Sequence, residues 1–352
     1  MKMSREQNWS RTQYFPGKVL VLDGMTGTGK TLVMNVIDTL SDIAPPKFSY
    51  LLEHICISNA NELLNESIGI QILQIHLDQL QYDGKISREV NFRPRDLSSI
   101  FKSKKKMKYI GRLFAADGEM ASERVEIENE TIFLIVHQLF ETLDVLTDLP
   151  GKSITQITCV RHPYYLMDHW ASYVTMHGAS PRDFTLTKGH NGDLPWFIKK
   201  YPELYLNGNN FEKAAICVAE LNKRGLTHID TCLEKIIVID FEKFVLNPMP
   251  YIEQITLELE PRRITGMRKT LKSQRIPRLH INNTKPMKIY SRYGSNAHNT
   301  SLSQAEDYFQ LRSRLKSLIS SDYFTLLEEA AGLYEAKFGR WFENDESKIN
   351  NE

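Results

Sequence analysis

The fold is decided by Val19-Leu20-Val21-Leu22-Asp23-Gly24-Met25-Thr26-Gly27-Thr28-Gly29-Lys30-Thr31-Leu32-Val33-Met34. Four apolar residues, enough for a buried strand, run into Gly24-x-x-x-x-Gly29-Lys30-Thr31, and an apolar-periodic helix begins at Thr31. This pattern belongs to a phosphate-binding loop. Its glycines let backbone N–H groups turn onto an anion, the helix N-terminus adds partial positive charge, and Lys30 supplies a full one. Gly24, Gly27, Thr28, Gly29, Lys30 and Thr31 are the expected nucleotide-binding residues. The alternative is a glycine-rich strand-to-helix turn without a ligand.

On the N-terminal side, residues 1–14 read as a polar leader without an apolar signal core, and Phe15-Pro16-Gly17 as a turn that sets up the first strand. No run approaches the ~18 apolar residues of a membrane span. The 352 residues carry 44 Lys and Arg against 43 Asp and Glu, so no global field argues for nucleic acid or an anionic membrane surface. Cys56, Cys159, Cys217 and Cys232 lie in apolar surroundings without C-x-x-C spacing, which predicts buried thiols in a reducing compartment and neither disulfides nor a metal site. The expectation is a cytoplasmic protein with one three-layer α/β domain over residues 15–342, a central parallel sheet, and a polar tail, 343–352.

On the C-terminal side, Leu32, Val33, Val36, Ile37 and Leu40 share one helix face. Phe48–Leu52 is expected as a second strand with Glu53-His54 at its end, where an open parallel sheet presents its ligands. Helical spacing is expected over 59–80 and over Thr131–Leu146. Between them lie Arg93 and Arg95 and the run Lys102 to Lys108, read as either a solvated face or a basic wall for an anion. Ile154–Val160 reads as a buried strand ending at Arg161-His162-Pro163, with His169, Trp170, Ser172 and Tyr173 on the helix that follows. Residues 180–210, rich in Pro, Gly and Asn, read as an excursion or lid. A helix over Phe211–Arg224, a strand over Lys235–Asp240 and a helix through Leu259 follow, and then a basic stretch, 262–295. A final helix over Ser303–Trp341 opens with a capping box, Ser303-x-x-Glu306.

Two chemistries fit these residues. In an ATP-using phosphotransferase or NTPase, Lys30 contacts the β- and γ-phosphates, Thr31 holds Mg²⁺, and Asp240 at the end of an apolar strand is the metal-side carboxylate. That scheme gives no role to Arg161-His162-Pro163 or to Ser172. A second scheme does, and here the chain resembles the sulfotransferases that use 3′-phosphoadenosine 5′-phosphosulfate (PAPS). Gly24 to Met34 is similar to their modified loop, G-x-P-[RK]-S-G-T-T-L. Arg161-His162-Pro163 resembles their 3′-phosphate motif, and Ile239-Asp240-Phe241-Glu242-Lys243-Phe244 before Asn247-Pro248 resembles their late-strand turn. Arg275-Ile276-Pro277-Arg278 and Leu333-Tyr334-x-x-x-Phe338-Gly339 are similar to segments of bacterial members. Lys30 departs from the pattern, standing one residue after Gly29 where the family has Thr, and Gly27 stands where the family has Arg or Lys.

The resemblance implies transfer of a sulfuryl group from PAPS to a hydroxyl or amine of an acceptor, with no metal strictly required. The acceptor is left open among a carbohydrate, an apolar small molecule and a peptide tyrosine. It implies Lys30 at the leaving phosphate, Arg161 with His169 or Ser172 at the 3′-phosphate, and Glu53 as the base, with His54 and His76 as alternatives. The sequence does not encode the oligomeric state.

Overall fold

The computed structural model describes residues 12–342 apart from 178, 182, 190, 233–235 and 283–301. Among the described residues a central sheet of five parallel strands has the order β2-β3-β1-β4-β7. Its strands are β1 Gly17–Gly24, β2 Lys47–Phe48, β3 Ile132–Ile135, β4 Lys152–Val160 and β7 Ile236–Asp240. β5 Thr187–Lys188 and β6 Leu194–Pro195 form a separate antiparallel pair. Flanking helices place the chain in the α/β class that the loop motif implies. The chain forms two compact units, one from the residues up to Asp23, Thr31–Ile157 and Glu258–Met267, the other from Gly24–Lys30, Thr158–Leu257 and Arg268 onward.

In the first unit β1 and β3 are parallel neighbours, with Val19 opposite Ile132 and Leu22 opposite Ile135. Helix α1, Lys30–Ile37, follows the loop; α2, Tyr50–Ala60, and α3, Glu66–Lys85, follow β2; α4, Lys106–Arg112, and α5, Glu119–Glu128, precede β3. Three expectations change here. The second strand is only Lys47–Phe48, because Ser49 caps α2 by accepting from the Leu52 N–H. Glu53 and His54 therefore lie in the first turns of a helix and not at a strand end. The helical spacing over 59–80 belongs to two helices, separated where Asn65 caps α3. The segment Thr131–Leu146 is not a helix. Ile132-Phe133-Leu134-Ile135 is a strand buried on both faces, and Phe140–Asp148 is a 3₁₀ segment. A strand inside a parallel sheet is continuously apolar, so its run carries no period that separates it from a buried helix.

In the second unit α6, Met167–Tyr173, pairs with α8, Asn210–Thr231, and α8 with α13, Ser321–Phe338. Between them in sequence come α7 Pro202–Asn207, α9 Phe241–Leu246, α10 Met249–Leu259, α11 Met267–Ser273 and α12 Gln304–Leu318. The last helix of the sequence reading is thus two helices, α12 and α13, although its capping box forms as expected between Ser303 and Glu306. The helix from residue 211 is longer than its spacing indicated, and the β4 and β7 strands match theirs. The 180–210 excursion contains β5, β6 and α7, and buries Trp196, Phe197 and Ile198. Lys285, Lys288 and Arg292 of the basic stretch, the first eleven residues of the leader and the polar tail lie outside the described residues. The thiols of Cys56, Cys159 and Cys217 are buried, and Cys232 is half-buried.

One carboxylate holds the first unit's strand ends together. Asp23, fully buried at the end of β1, accepts from the backbone N–H groups of Leu139 (3.2 Å) and Phe140 (2.7 Å). That turn needs the clamp, since Gln138 and Phe140 have φ of 45° and 49°. Asp23→Ala leaves both N–H groups buried and unsatisfied. It is expected to lower unfolding free energy in urea by about 2 to 4 kcal/mol.

Candidate active site

The loop is shaped by two glycines that accept no replacement. Gly24 has φ 134°, and a Cβ there would lie 2.3 Å from the Cys159 carbonyl oxygen; Gly29 has φ 85°, and its Cβ would meet the Phe241 ring at 2.3 Å. The Lys30 ammonium is drawn over the loop by the carbonyls of Gly24 and Met25, the latter at 3.0 Å. Thr28 Oγ1 donates to the Met25 carbonyl at 2.8 Å, and the Trp170 indole N–H donates to the Thr26 carbonyl at 3.0 Å. Thr31, the residue that would meet a metal in an ATP loop, is the second residue of α1.

Arg161 stands beside this loop as the sequence led us to expect. Its Nη1 donates to the Gly27 carbonyl at 3.0 Å, and its guanidinium lies over the Phe241 ring, 4.4 Å from the centroid. A second guanidinium, that of Arg278, lies 5.9 Å from the same centroid. Both arginines retain a buried Nε–H without a hydrogen bond. Burial lowers the pKa of each, and for Arg278 the neighbouring Arg161 charge helps bring it to about 10. Two neighbouring cations, Arg161 half-buried and Arg278 buried, each with a buried Nε–H that makes no hydrogen bond, form a site suited to an anion. In the sequence Arg278 stands in the Arg275-Ile276-Pro277-Arg278 segment of a long basic stretch, with no role assigned to it. The signal that picks it out is local, since it follows Ile276-Pro277, an apolar step in an otherwise polar stretch.

His169 belongs to the same constellation. A Cβ on Gly27 would touch its imidazole at 3.1 Å, and burial together with the Arg161 and Lys30 charges lowers its pKa to about 4. It is therefore neutral near pH 7 and able to donate one N–H. Ser172 lies one turn further along α6, half-buried, with its carbonyl accepting from Thr175.

The carboxylates behind Arg161 are unusual. Glu242, fully buried in the first turn of α9, lies 3.8 Å from Arg161 Nε and accepts from the His162 backbone N–H at 3.3 Å. Tyr334 Oη is 2.8 Å from Glu242 and 2.9 Å from Asp240. Desolvation, with the Asp240 charge next, raises Glu242 to about 8, and desolvation also raises Asp240. Asp240 is further occupied as the cap of α9, accepting from the Lys243 N–H.

In the first unit, Glu53 is brought not to His54 or His76 but to His137, with Glu53 Oε1 2.8 Å from His137 Nδ1. The imidazole stacks against Phe48 (5.9 Å, 10°) and Tyr50 (6.2 Å, 13°). His137 stands two residues after Ile135, the last residue of β3. Reading 131–146 as a helix concealed it, although a His directly after a five-residue apolar run was the available signal. His76 pairs with Ser49 Oγ at 3.2 Å. The basic wall dissolves into local pairs: Lys108 meets Glu128 and Glu130, Lys105 meets Asp38, and the exposed Arg93 meets Asp96.

No protein-family model matches the chain, and no curated protein does. Among solved structures the chain is similar to the sulfotransferase domain of the Synechococcus PCC 7002 olefin synthase, at 13% identity and TM-score 0.40, over 89% of this chain and 98% of that one. It is also similar to the sulfotransferase domain of the curacin biosynthetic pathway, at 12% identity and TM-score 0.39, over 86% and 98%. A third is sulfotransferase STF1 of Mycobacterium tuberculosis H37Rv, at 10% identity and TM-score 0.36, over 86% and 77%.

The raised Glu242 pKa has a definite sign. Between about 4.5 and about 8 the folded chain holds a proton that the unfolded chain has released, so this group's contribution to stability falls as pH rises through that window. Glu242→Gln removes the titration, and its melting temperature is expected to decline less than that of the wild-type chain from pH 5 to pH 8 in calorimetric scans.

Proposed function

We propose that this chain transfers a sulfuryl group from PAPS to an acceptor hydroxyl. The observation that carries the reading is the pair Arg161 and Arg278, two guanidiniums whose buried Nε–H groups make no hydrogen bond, beside the glycine loop. A nucleotide with its phosphates in a single chain gives a second, separate cationic site nothing to hold. A nucleotide with phosphates on both its 5′ and 3′ oxygens matches a loop plus a separate arginine pair. His169, neutral and packed on Gly27, is the better placed of the two α6 candidates to add a donor.

The chemistry follows from charge. Sulfuryl transfer, like phosphoryl transfer, has a loose transition state in which negative charge gathers on the leaving group, so placed cations and amides do most of the work. Lys30 and the N–H groups of Gly29 to Thr31 serve the leaving 5′-phosphate, the Thr28 N–H being held by the Met25 carbonyl. The first unit supplies a candidate base: a His137 that donates Nδ1–H to Glu53 keeps Nε2 as a proton acceptor, and the carboxylate stabilises the imidazolium that results. Glu53 thus acts through His137, and His54 has no part in the scheme.

The Mg²⁺-ATP reading is less well supported, for its carboxylate is already spent. Asp240 caps α9, lies against Tyr334 and has its ionised form disfavoured by burial.

Titration calorimetry separates the two. Adenosine 3′,5′-bisphosphate is expected to bind without metal, Arg161→Ala to weaken it by about 100-fold and Arg278→Ala by about tenfold or more. Binding of Mg²⁺-ATP alone, indifferent to both substitutions, would overturn the reading. With an acceptor that turns over, His137→Ala should lower kcat by about 100-fold or more while bisphosphate binding is unchanged.

A further inference from the structure

In the first unit, the stretch leading into β3 carries its charge in two blocks. From Ile100 to Phe114 there are six cations, Lys102, Lys104, Lys105, Lys106, Lys108 and Arg112, and no carboxylate. From Ala115 to Glu128 there are five carboxylates and one cation, Arg124. The inward members of the blocks pair with their own chain: Lys108 meets Glu128 at 2.8 Å, Arg112 meets Glu130 at 2.7 Å, and Lys105 meets Asp38 at 3.7 Å. The outward members do not. Lys102, Lys104 and Lys106 in the first block, and Asp117, Glu119, Glu123 and Glu126 in the second, are exposed and form no ion pair among the described residues.

Apolar side chains stand among these charges. Met107 is 70% exposed, Phe114 88%, Met120 60% and Ile127 76%. On α5, steps of about 100° per residue put Glu119, Met120, Glu123, Glu126 and Ile127 on one face, away from the buried Ala121 and Val125. Phe114 lies in the turn between α4 and α5, and that turn is held: the Gly118 N–H donates to the Tyr82 hydroxyl at 2.7 Å, and the Arg124 guanidinium donates to the Ala116 carbonyl. Lys108 and Arg112 of α4 both meet Glu128 of α5, so the basic and acidic halves belong to one surface. An anionic lipid surface would attract the first half and repel the second. A second copy of this chain, related by a two-fold axis, sets each half against its complement.

We propose that the face around Met107, Phe114, Met120 and Ile127 is the contact surface of a homodimer, with the lysines of each copy opposite the carboxylates of the other. Seventeen residues between Phe101 and Ile127 are exposed, somewhat fewer than the about 20 to 30 a side of a standard interface. The dimer is therefore a weak one, with a dissociation constant of about 10 to 100 μM. Its formation does not depend on which reaction the chain performs.

The test is sedimentation equilibrium of the full chain up to about 200 μM, with salt raised from about 50 mM to about 500 mM to screen the pairs. An equilibrium between monomer and dimer is expected, weakened about tenfold by the salt and about tenfold or more by Phe114→Ser, a change at an exposed position. Reversing either half, as Lys104→Glu with Lys106→Glu or as Glu119→Lys with Glu123→Lys, should weaken association about 100-fold or more, because like charges then meet at both contacts. Mixing the two reversed chains should restore it to within about tenfold of the wild-type constant, since each reversed half again meets its opposite. Chains that had merely lost their fold would not recover on mixing. A wild-type chain that stays monomeric, a dimer indifferent to these substitutions, or a mixture that stays apart overturns the proposal. So does a monomer that sediments instead with phosphatidylserine vesicles, a result that gives the face to lipid.

Discussion

Positive charge kept out of water is the constraint on which the second unit depends. Arg161 and Arg278 flank one phenyl ring, and the nearby carboxyl of Glu242 is held mostly protonated by its own burial. Neutralising them with a full carboxylate would close the site to any other anion; leaving them solvated would make it nonselective. The arrangement keeps a desolvated field ready, at a cost that the surrounding aromatic rings and Tyr334 offset. The same side chains shape the loop: Arg161 binds the Gly27 carbonyl, Phe241 rests on Gly29, and Trp170 binds the Thr26 carbonyl. Loop geometry and anion selectivity are therefore one property and not two.

The first unit solves a different problem, the orientation of an imidazole. His137 is fixed on one edge by Glu53 and on its faces by Phe48 and Tyr50, so its tautomer and ring plane are set by neighbours. The turn that carries it is strained, and Asp23 holds that turn by two backbone hydrogen bonds. The strain of that turn is thus compensated by a buried carboxylate.

Some of this was legible in the residues. The glycine spacing, Lys30 and the strand before them identify the loop, because the chemistry of cradling an anion dictates local composition. β4 and β7 were readable for the same reason as β1, being apolar runs ended by a charged residue. Arg161 at such a strand end was visible, and so was the cap at Ser303. The candidate base was not. A parallel strand buried on both faces has no alternation, and Ile132 to Ile135 joined to Leu139 and Leu143 imitates helical spacing well enough to conceal His137. β2 shrank because Ser49, a strong cap, began a helix where apolar residues suggested a longer strand. The Arg278 role arises from contacts across long stretches of chain, which local pattern does not encode.

The Tyr334 hydroxyl has a consequence for how the protein comes into being. It lies on α13, about ninety residues after the carboxyls of Asp240 and Glu242 that it bridges, and the next residue, Glu335, lies 3.1 Å from His162. A chain emerging from a ribosome presents the loop, Arg161 and Glu242 long before α13 exists. Until that helix docks, the two carboxyls lack their shared hydroxyl and His162 its partner. Completion of this buried network is thereby tied to the docking of α13.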